Sequence, residues 1–144
     1  METLITFAEQ AAASGEVPIA AALIAPDGTV IVTAHNEVEL RKDATAHAEL
    51  LVLQKASAAL GRKYLEEFTL MVTLEPCAMC AQAASLAKVK KVIFGAYDPK
   101  GGGVEHGARV YAQATCHHAP EVVGGVMESE CGALLQDFFK ARRK

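Results

Sequence analysis

Two short motifs, thirty residues apart, place the strongest constraint on how this chain can fold. The first, at positions 47–49, has the sequence His-Ala-Glu, and the second, at positions 76–80, has the sequence Pro-Cys-Ala-Met-Cys. One imidazole and two thiolates are a ligand set of catalytic zinc sites, which keep a fourth position open. Such a site forms only if the fold brings both motifs together. We therefore expect two helix starts that face each other.

The two cysteines of the second motif suit a metal site. Cys77 and Cys80 are three residues apart, so at the start of a helix they lie on one face of the first turn. The positive end of the helix dipole favours the thiolate there, and the thiolate is the form that binds zinc. This spacing predicts that His47, Cys77 and Cys80 share one Zn²⁺ ion.

Glu49 distinguishes a hydrolytic site from a structural one. A structural zinc site needs no carboxylate beside its histidine, whereas a hydrolytic site needs a group that takes a proton from water and passes it to the leaving group. Residues two apart do not share a face of a regular helix. The pair His47 and Glu49 therefore predicts an irregular helix start at His47.

Each motif alone is compatible with more than one kind of site. A Cys-x-x-Cys pair also occurs in thioredoxin-like redox sites, and His-x-Glu is common by chance. The redox interpretation leaves His47 and Glu49 unexplained. A zinc or RNA-binding module without catalysis is a further alternative, and Glu49 is the residue that argues against it.

Hydrophobic periodicity and turn residues predict an α/β fold. Strands and helices alternate after Thr45, which implies parallel pairing with helices on both faces of the sheet. Asp43 or Thr45 is the predicted cap of the second helix, and Ser129 that of the last. The predicted helices cover residues 4–12, 43–60, 76–88, 107–113 and 128–144, and the predicted strands cover residues 17–24, 29–33, 68–74, 91–96 and 122–126.

Length and composition fit one catalytic domain over residues 1–144. The apolar run at 17–25 is far shorter than the roughly 20 residues that span a membrane, so no membrane partner is expected. The first residues are not basic and no long apolar segment follows them, so we expect no export signal and a cytoplasmic protein with reduced cysteines. The net charge of −3 argues against a non-specific nucleic-acid-coating protein, although residues 140–144 carry four cations.

Together the motifs resemble the zinc-dependent cytidine deaminase-like superfamily. Further segments extend the resemblance over nearly the whole chain, to the bacterial tRNA-specific adenosine deaminases: 15–18, 43–49, 72–77, 94–102, 116–120 and 137–140. The resemblance implies a three-layer α/β/α fold around a mixed five-stranded sheet and a homodimer with one Zn²⁺ per subunit. It also implies conversion of the wobble adenosine in a tRNA (tRNA-Arg) anticodon to inosine.

The resemblance also assigns roles to individual positions. Glu49 would carry the proton from water to the ring nitrogen and then to the departing ammonia. Asp98 would contact the ribose beside the target base. The residues near the base would be Asn36, Val17, Pro18, Ala48 and Glu75, and those that contact the anticodon stem would be Phe138, Phe139, Lys140, Arg142 and Arg143.

Purely structural roles are open to several of these residues as well. Asn36 could cap a loop at a strand end, Val17 could pack in the core, and Asp98 could belong to an ordinary Asp-Pro turn. The terminal cations could be a solvated helix end. The alternative function is deamination of a free base or nucleotide, such as guanine or cytosine, on the same scaffold.

Overall fold

The computed structural model describes residues 1–142. It contains five strands, five α-helices and one short 3₁₀ helix at Val110–Ala112 within that range. The strands are β1 (Ala20–Ile24), β2 (Val30–His35), β3 (Thr69–Leu74), β4 (Lys91–Ala96) and β5 (Glu121–Val123). The α-helices are α1 (Glu2–Ala13), α2 (Val38–Arg41), α3 (Ala48–Leu60), α4 (Ala78–Leu86) and α5 (Glu128–Arg142).

The sheet is mixed, with the strand order β2-β1-β3-β4-β5. β1 runs antiparallel to both β2 and β3, while β3, β4 and β5 are parallel to one another. β3 and β4 are joined through α4, and β4 and β5 through residues 97–120, which contain the short 3₁₀ helix, since strands that run the same way need a long connection. The mixed five-stranded sheet expected from the resemblance is confirmed.

Helices cover both faces of the sheet. Ala21 and Leu23 of β1 pack into the main core with α3 and α4, whereas Ala20 and Ala22 pack with α1 and Leu134 of α5 on the other face. Successive residues of a strand point to opposite faces, so an all-alanine start allows helices to approach β1 from both sides. Alanine has little intrinsic β preference. The segment nevertheless forms β1, because its residues are buried on both faces of the sheet.

Several predicted boundaries were wrong by a few residues. The first strand begins at Ala20 and not at residue 17, because Ile19 N–H bonds back to the Val17 carbonyl (2.8 Å) across Pro18. The third helix begins at Ala48, and neither Asp43 nor Thr45 caps it. The Asp43 carboxylate instead accepts the Thr45 N–H (2.9 Å) in a local turn.

Other elements differ in length or type. The fourth helix spans Ala78–Leu86 instead of residues 76–88, and the helix expected at 107–113 is one 3₁₀ turn. The polar segment after Asn36 contains α2, which the sequence did not predict. Ser129 lies inside the first turn of α5 and is not its cap. Helix ends fray and are the least determined feature of local sequence.

The fold places the starts of α3 and α4 beside the carboxyl end of β3. In an open α/β sheet, ligands bind in the crevice outside the carboxyl ends of the strands. Within residues 1–142, no helix has both the length and the apolar character needed to cross a membrane.

Candidate active site

The two motifs meet at the starts of α3 and α4. His47 is the N-cap of α3 and Cys77 is the N-cap of α4, and both have extended backbone conformations. The first N–H groups of a helix lack partners inside the helix, so both residues lie at the positive ends of helix dipoles. The expectation of two helix starts that face each other is confirmed.

The ligand atoms of the three residues form a compact triangle. The Nδ1 atom of His47 lies 3.6 Å from the Sγ atoms of both Cys77 and Cys80, and all three atoms lie within 4.8 Å of one another. Zinc bonds of about 2.0–2.3 Å to nitrogen and sulfur fit inside a triangle of this size. It is the only such group of three among residues 1–142.

Protons are shared unequally within the triangle. Hydrogen bonds from Cys80 and from His47 lower the pKa of Cys77 to about 4, although burial opposes this. The pKa of Cys80 is raised well above its usual range, first because its thiol bonds to the Cys77 sulfur and then because it is buried. The bond to Cys77 also raises the pKa of His47. In this state Cys77 is a thiolate, while Cys80 and His47 carry protons. A metal cation displaces such protons when it binds, so the triangle suits a cation.

Glu49 can point into the same site as His47 because α3 begins at Ala48 and His47 lies just before it. Its backbone belongs to the first turn of α3, whereas His47 has the extended conformation of a cap. The two side chains therefore need not follow regular helical spacing, as the motif predicted. Glu49 is only 4% exposed, and burial raises its pKa to about 7. A carboxyl group in this state can take up and release a proton near neutral pH.

A cleft of about 1100 Å³ opens above these residues. Its walls come from the α1–β1 turn, the segment after β2, the loop after β4, and α5. The candidate residues among its lining are Val17, Asn36, His47, Glu49, Glu75, Cys77, Asp98, Phe138, Phe139 and Arg142.

The other candidates lie elsewhere. Pro18 is fully buried, as are Ala48 and Cys80, and none of the three lines the cleft. Lys140 is exposed on α5 away from the cleft lining, and Arg143 lies outside the described residues.

Asn36 links β2 to the start of α3. Its Oδ1 atom accepts a hydrogen bond from the Ala48 N–H at 2.8 Å, and the side chain is nearly buried. Because that partner is a donor, the oxygen of the amide must face it, which leaves the NH₂ group as a donor. Asn36 thus stabilises the helix start between His47 and Glu49 and presents N–H groups to an acceptor.

The Glu75 carboxylate has a role that the sequence did not predict. Its Oε1 atom accepts hydrogen bonds from Asp98 N–H (3.0 Å) and from the His106 ring (2.8 Å). Its Oε2 atom accepts from the N–H groups of Val104 (3.2 Å), Glu105 (2.9 Å) and His106 (3.1 Å). Burial raises the pKa of Glu75, but these bonds outweigh it and the net effect is a lowered pKa. The available sequence signal was a carboxylate at the end of an apolar strand.

Two glycines let this loop approach the site closely. A Cβ atom on Gly102 would lie 2.5 Å from the Glu75 carboxylate, and one on Gly103 would lie 2.5 Å from the Ala78 nitrogen. The N–H of Gly103 also bonds to the Pro76 carbonyl at 2.8 Å. The glycine run therefore packs directly on the segment that carries Cys77.

A second buried carboxylate, Glu16, was not predicted either. Its two oxygens accept the N–H groups of Glu39 (3.0 Å) and Leu40 (2.8 Å), which belong to the first turn of α2. These bonds satisfy N–H groups that a helix cannot pair internally. Glu16 thus joins the α1–β1 turn to α2, and both segments line the cleft.

The end of α5 closes one side of the cleft. The Arg142 guanidinium lies 4.3 Å from the centre of the Phe138 ring and donates to the Gly15 carbonyl at 3.1 Å. Phe139 is 45% exposed beside it. Phe138, Phe139 and Arg142 therefore line the same cleft as His47 and Cys77.

Neither His117 nor His118, which are adjacent in the sequence, adds a metal site within residues 1–142. His118 bonds through Nε2 to the Val89 carbonyl at 2.8 Å, and its own carbonyl accepts the Ser85 hydroxyl at 2.6 Å. His117 is exposed. The described contacts of His118 are those of a loop residue that packs on the end of α4.

Comparisons with known proteins identify the family of the chain. The MafB19-like deaminase family matches residues 1–143. The chain is 47% identical to the tRNA-specific adenosine deaminase of Agrobacterium fabrum (strain C58) over 143 residues, 99% of this chain and 93% of that protein. It is also 47% identical to the tRNA-specific adenosine deaminase of Bacillus subtilis (strain 168), over 100% of this chain and 89% of that protein.

Solved structures give the same result. One from a study of A-to-I editing by tRNA:A34 deaminases at the wobble position of transfer RNA has a TM-score of 0.91 and 47% identity, with 94% of this chain and 97% of that chain covered. Guanine deaminase from Nitrosomonas europaea has a TM-score of 0.81 at 22% identity, covering 95% and 81%, and shares the fold. Motifs, geometry and full-length similarity agree that this chain belongs to the deaminase family that includes the bacterial tRNA-specific adenosine deaminases.

Proposed function

We propose that this chain hydrolyses adenosine to inosine at the wobble position of a tRNA anticodon. The observation that carries the proposal is the buried Glu49 carboxyl group at the floor of a cleft, beside the His47, Cys77 and Cys80 triangle. The 47% identity to two tRNA-specific adenosine deaminases supports the substrate. The likeness to guanine deaminase extends to the fold and supports no second substrate.

His47, Cys77 and Cys80 would hold one Zn²⁺ per chain. Two thiols and an imidazole are soft to borderline ligands, and three protein ligands leave a position free for catalysis. When bound, the ion would act as a Lewis acid and make water more acidic. Hydrogen bonds from Cys80 and His47 lower the pKa of Cys77 and so favour the thiolate, which is the form that binds zinc.

Glu49 would move the protons of the reaction. Its carboxylate takes a proton from the attacking water and delivers it to the ring nitrogen N1 as the water oxygen bonds to C6 of the purine. A further proton passes through Glu49 to the amino group, the C6–N bond breaks, and ammonia leaves. A pKa near 7 suits a group that must both accept and donate.

Several residues would recognise the base. The Asn36 amide group donates to a purine acceptor, because its oxygen is already bonded to Ala48 N–H. Val17 forms an apolar wall of the cleft, and Pro18 sets its position from the core. The resemblance also assigns backbone groups of Ala48 and Glu75 to the base; Glu75 lines the cleft, whereas the Ala48 N–H is bonded to Asn36.

The outer parts of the cleft would bind the RNA chain. Asp98 lies on the loop after β4 and would accept a hydrogen bond from a ribose hydroxyl. Phe138, Phe139 and Arg142 line the wall formed by α5, and Lys140 adds a positive charge on the same helix. Arg143 is assigned to this group from the sequence alone. Contacts of this kind with phosphates and sugars position an RNA without reading its sequence.

We also propose a homodimer, which the resemblance implies and which solution mass would test. Leu86 on α4 is 67% exposed and Leu60 on α3 is 36% exposed, which leaves apolar surface for a second subunit. A tRNA substrate supports the cytoplasmic location that the sequence predicts.

A stem-loop RNA with adenosine at the wobble position tests the function. We expect inosine and ammonia from this RNA with zinc-loaded protein, and no reaction with guanosine at that position. Free adenosine, guanine and cytosine are assayed alongside. Turnover of guanine or cytosine without inosine in the RNA would overturn the proposal in favour of a free-base deaminase. Zinc binding without turnover of any substrate would favour a binding module.

A further inference from the structure

Tyr97 is an exposed aromatic residue inside the cleft. It follows the last residue of β4, precedes Asp98, and lines the same cleft as His47 and Glu49. Its surface is 38% exposed, unlike the neighbouring residues 94–96 of β4, which are buried. A large ring left partly uncovered in the cleft that contains His47 and Glu49 points to a binding role.

Neighbouring rings and backbone fix the position of Tyr97. Its ring is edge-on to Phe94 (5.1 Å between centres, 90°) and to His106 (6.1 Å, 77°). Gly124 gives room for the phenol, because a Cβ atom there would lie 2.9 Å from the hydroxyl oxygen. A side chain already restricted in this way loses little entropy when a ligand packs on it.

The Glu75 carboxylate holds two residues that adjoin Tyr97, one in the chain and one through a ring contact. It bonds to the N–H of Asp98, the residue after Tyr97, and to the ring and N–H of His106, which contacts the Tyr97 ring. Glu75 is buried in the floor of the cleft. The ring at the rim is therefore connected to the site through hydrogen bonds to the buried Glu75 carboxylate and through one aromatic contact.

The volume of the cleft leaves space beside the reacting base. At about 1100 Å³ it exceeds the roughly 300–1,000 Å³ typical of small-molecule pockets. Unpaired bases of RNA loops are commonly recognised by stacking on aromatic side chains. A fixed, uncharged ring at the rim suits such a base better than it suits a phosphate.

We propose that Tyr97 is a stacking surface for the nucleobase adjacent to the reacting adenosine, with Glu75 and His106 as its positioning residues. This inference rests on the proposed function and adds a second base-binding position to it. Stacking does not distinguish sequence strongly, since every base has a π face. Tyr97 therefore contributes to the affinity for an RNA loop with unstacked bases more than to a preference for one base beside the reacting adenosine.

Fluorescent RNA tests the inference. We use stem-loops with 2-aminopurine on either side of the wobble position, and protein with Glu49→Ala so that the RNA is not converted. Stacking on Tyr97 should quench 2-aminopurine at one of the two positions. Tyr97→Leu should lose that quenching and bind roughly tenfold more weakly. Tyr97→Phe should keep both properties.

Tyr64→Leu is the matched control. Tyr64 lies between Lys63 and Lys88, away from the cleft lining, and its replacement should change neither quenching nor affinity. Equal quenching in Tyr97→Leu and the parent protein would overturn the inference.

A second measurement needs no altered tyrosine. An abasic nucleotide at the quenched position should weaken binding to the parent protein about as much as Tyr97→Leu does, and should weaken binding to Tyr97→Leu itself little further. Additive losses would overturn the stacking contact even if Tyr97→Leu folds poorly. Failure of the wild-type enzyme to form inosine in the unmodified stem-loop would instead overturn the proposed function, so the two failures are distinguishable.

Discussion

The floor and the rim of the cleft are built in different ways. The floor consists of His47, Glu49 and Cys77, with the fully buried Cys80 beside Cys77. All four residues come from the starts of two helices and are buried or half-buried. The rim consists of the loop from residue 97 to 106, the α1–β1 turn and the end of α5. Its contacts join distant parts of the chain, as in the bond from Arg142 to Gly15, 127 positions away.

The difference implies that the floor carries out the chemical step and that the rim binds the RNA. Charges on the floor lie where water is scarce and electrostatic effects are strong, so a change there should alter the chemical step. Charges on the rim are exposed and screened, so a change there should alter binding. The following predictions test this division, from the largest expected effect to the smallest.

Glu49→Gln should cause the largest loss. Without a carboxylate to carry protons, kcat for inosine formation should fall by about 10²–10⁴, while metal content and RNA affinity remain close to wild type. Glu105→Gln, an exposed carboxylate on the rim loop, is the matched control and should be nearly silent. A Glu49→Gln variant within tenfold of wild type would show that the floor does not carry the proton transfer.

Removal of the metal should abolish activity and lower Tm. Cys77→Ser should lose the metal, whereas Cys116→Ser, outside the triangle, should retain about one equivalent per chain. In the proposed site the ion would be bound by thiolates and a neutral imidazole, so metal content should fall as pH falls and protons compete for His47, Cys77 and Cys80. Metal analysis after dialysis at a series of pH values measures this, and full activity in metal-free protein would contradict it.

Glu75→Gln should affect both regions, because Glu75 joins them. An amide places an NH₂ group against backbone donors, so we expect a loss of about 2–3 kcal/mol in unfolding free energy. KM for the stem-loop should rise more than kcat falls, since the loop that carries Asp98 loosens. Denaturant unfolding and steady-state kinetics give the two values.

The pH dependence of this loss has a definite sign. The pKa of Glu75 is lowered in the folded protein from its ordinary value of 4.5. Its contribution is therefore fully present above that value and lost as pH falls through the lower, folded pKa. The difference in unfolding free energy between metal-free wild type and Glu75→Gln should be constant near neutral pH and should shrink toward zero in acid. A difference that widens in acid would contradict the assignment.

Arg142→Ala should have the smallest effect. The guanidinium is exposed and packs on Phe138, so we expect a loss of roughly two- to tenfold in RNA affinity with kcat unchanged. The slope of log affinity against log salt should decrease by about one if Arg142 contacts a phosphate. Arg62→Ala, a cation paired with Glu67 outside the cleft lining, is the control. An unchanged salt slope would remove Arg142 from the RNA contacts.

The floor could be predicted almost entirely from the sequence. The side chains of His47, Cys77 and Cys80 meet as their spacing required, and the extended cap at His47 explains how Glu49 joins them. The pairing of Cys77 with Cys80 and the cap at His47 are local features, because a helix start and a three-residue spacing fix where side chains point. The contact of His47 with the two cysteines, 30 and 33 positions away, depends on the fold. The predicted helix starts were less accurate, because several polar residues before His47 are equally plausible caps.

The rim could be predicted only in part. The tail residues Phe138 and Phe139 were assigned by resemblance, and the structure places both in the cleft lining. The carboxylates of Glu16 and Glu75 were not foreseen as ligands of backbone N–H groups. Their partners lie 23 to 31 positions along the chain, beyond the range of any periodic pattern.

By itself, the sequence determined the residue types and the local spacing of the candidate site: a Cys-x-x-Cys pair on one helix turn, a histidine and a carboxylate at a second helix start, and the α/β alternation of the chain. Residue type and short-range geometry suffice for these features. Only the tertiary structure decided that Glu75 points inward to hold the rim loop, that Tyr97 stays partly exposed beside the site, and that Arg142 reaches Gly15. These arrangements depend on which distant segments pack together and on which polar groups burial forces to find partners.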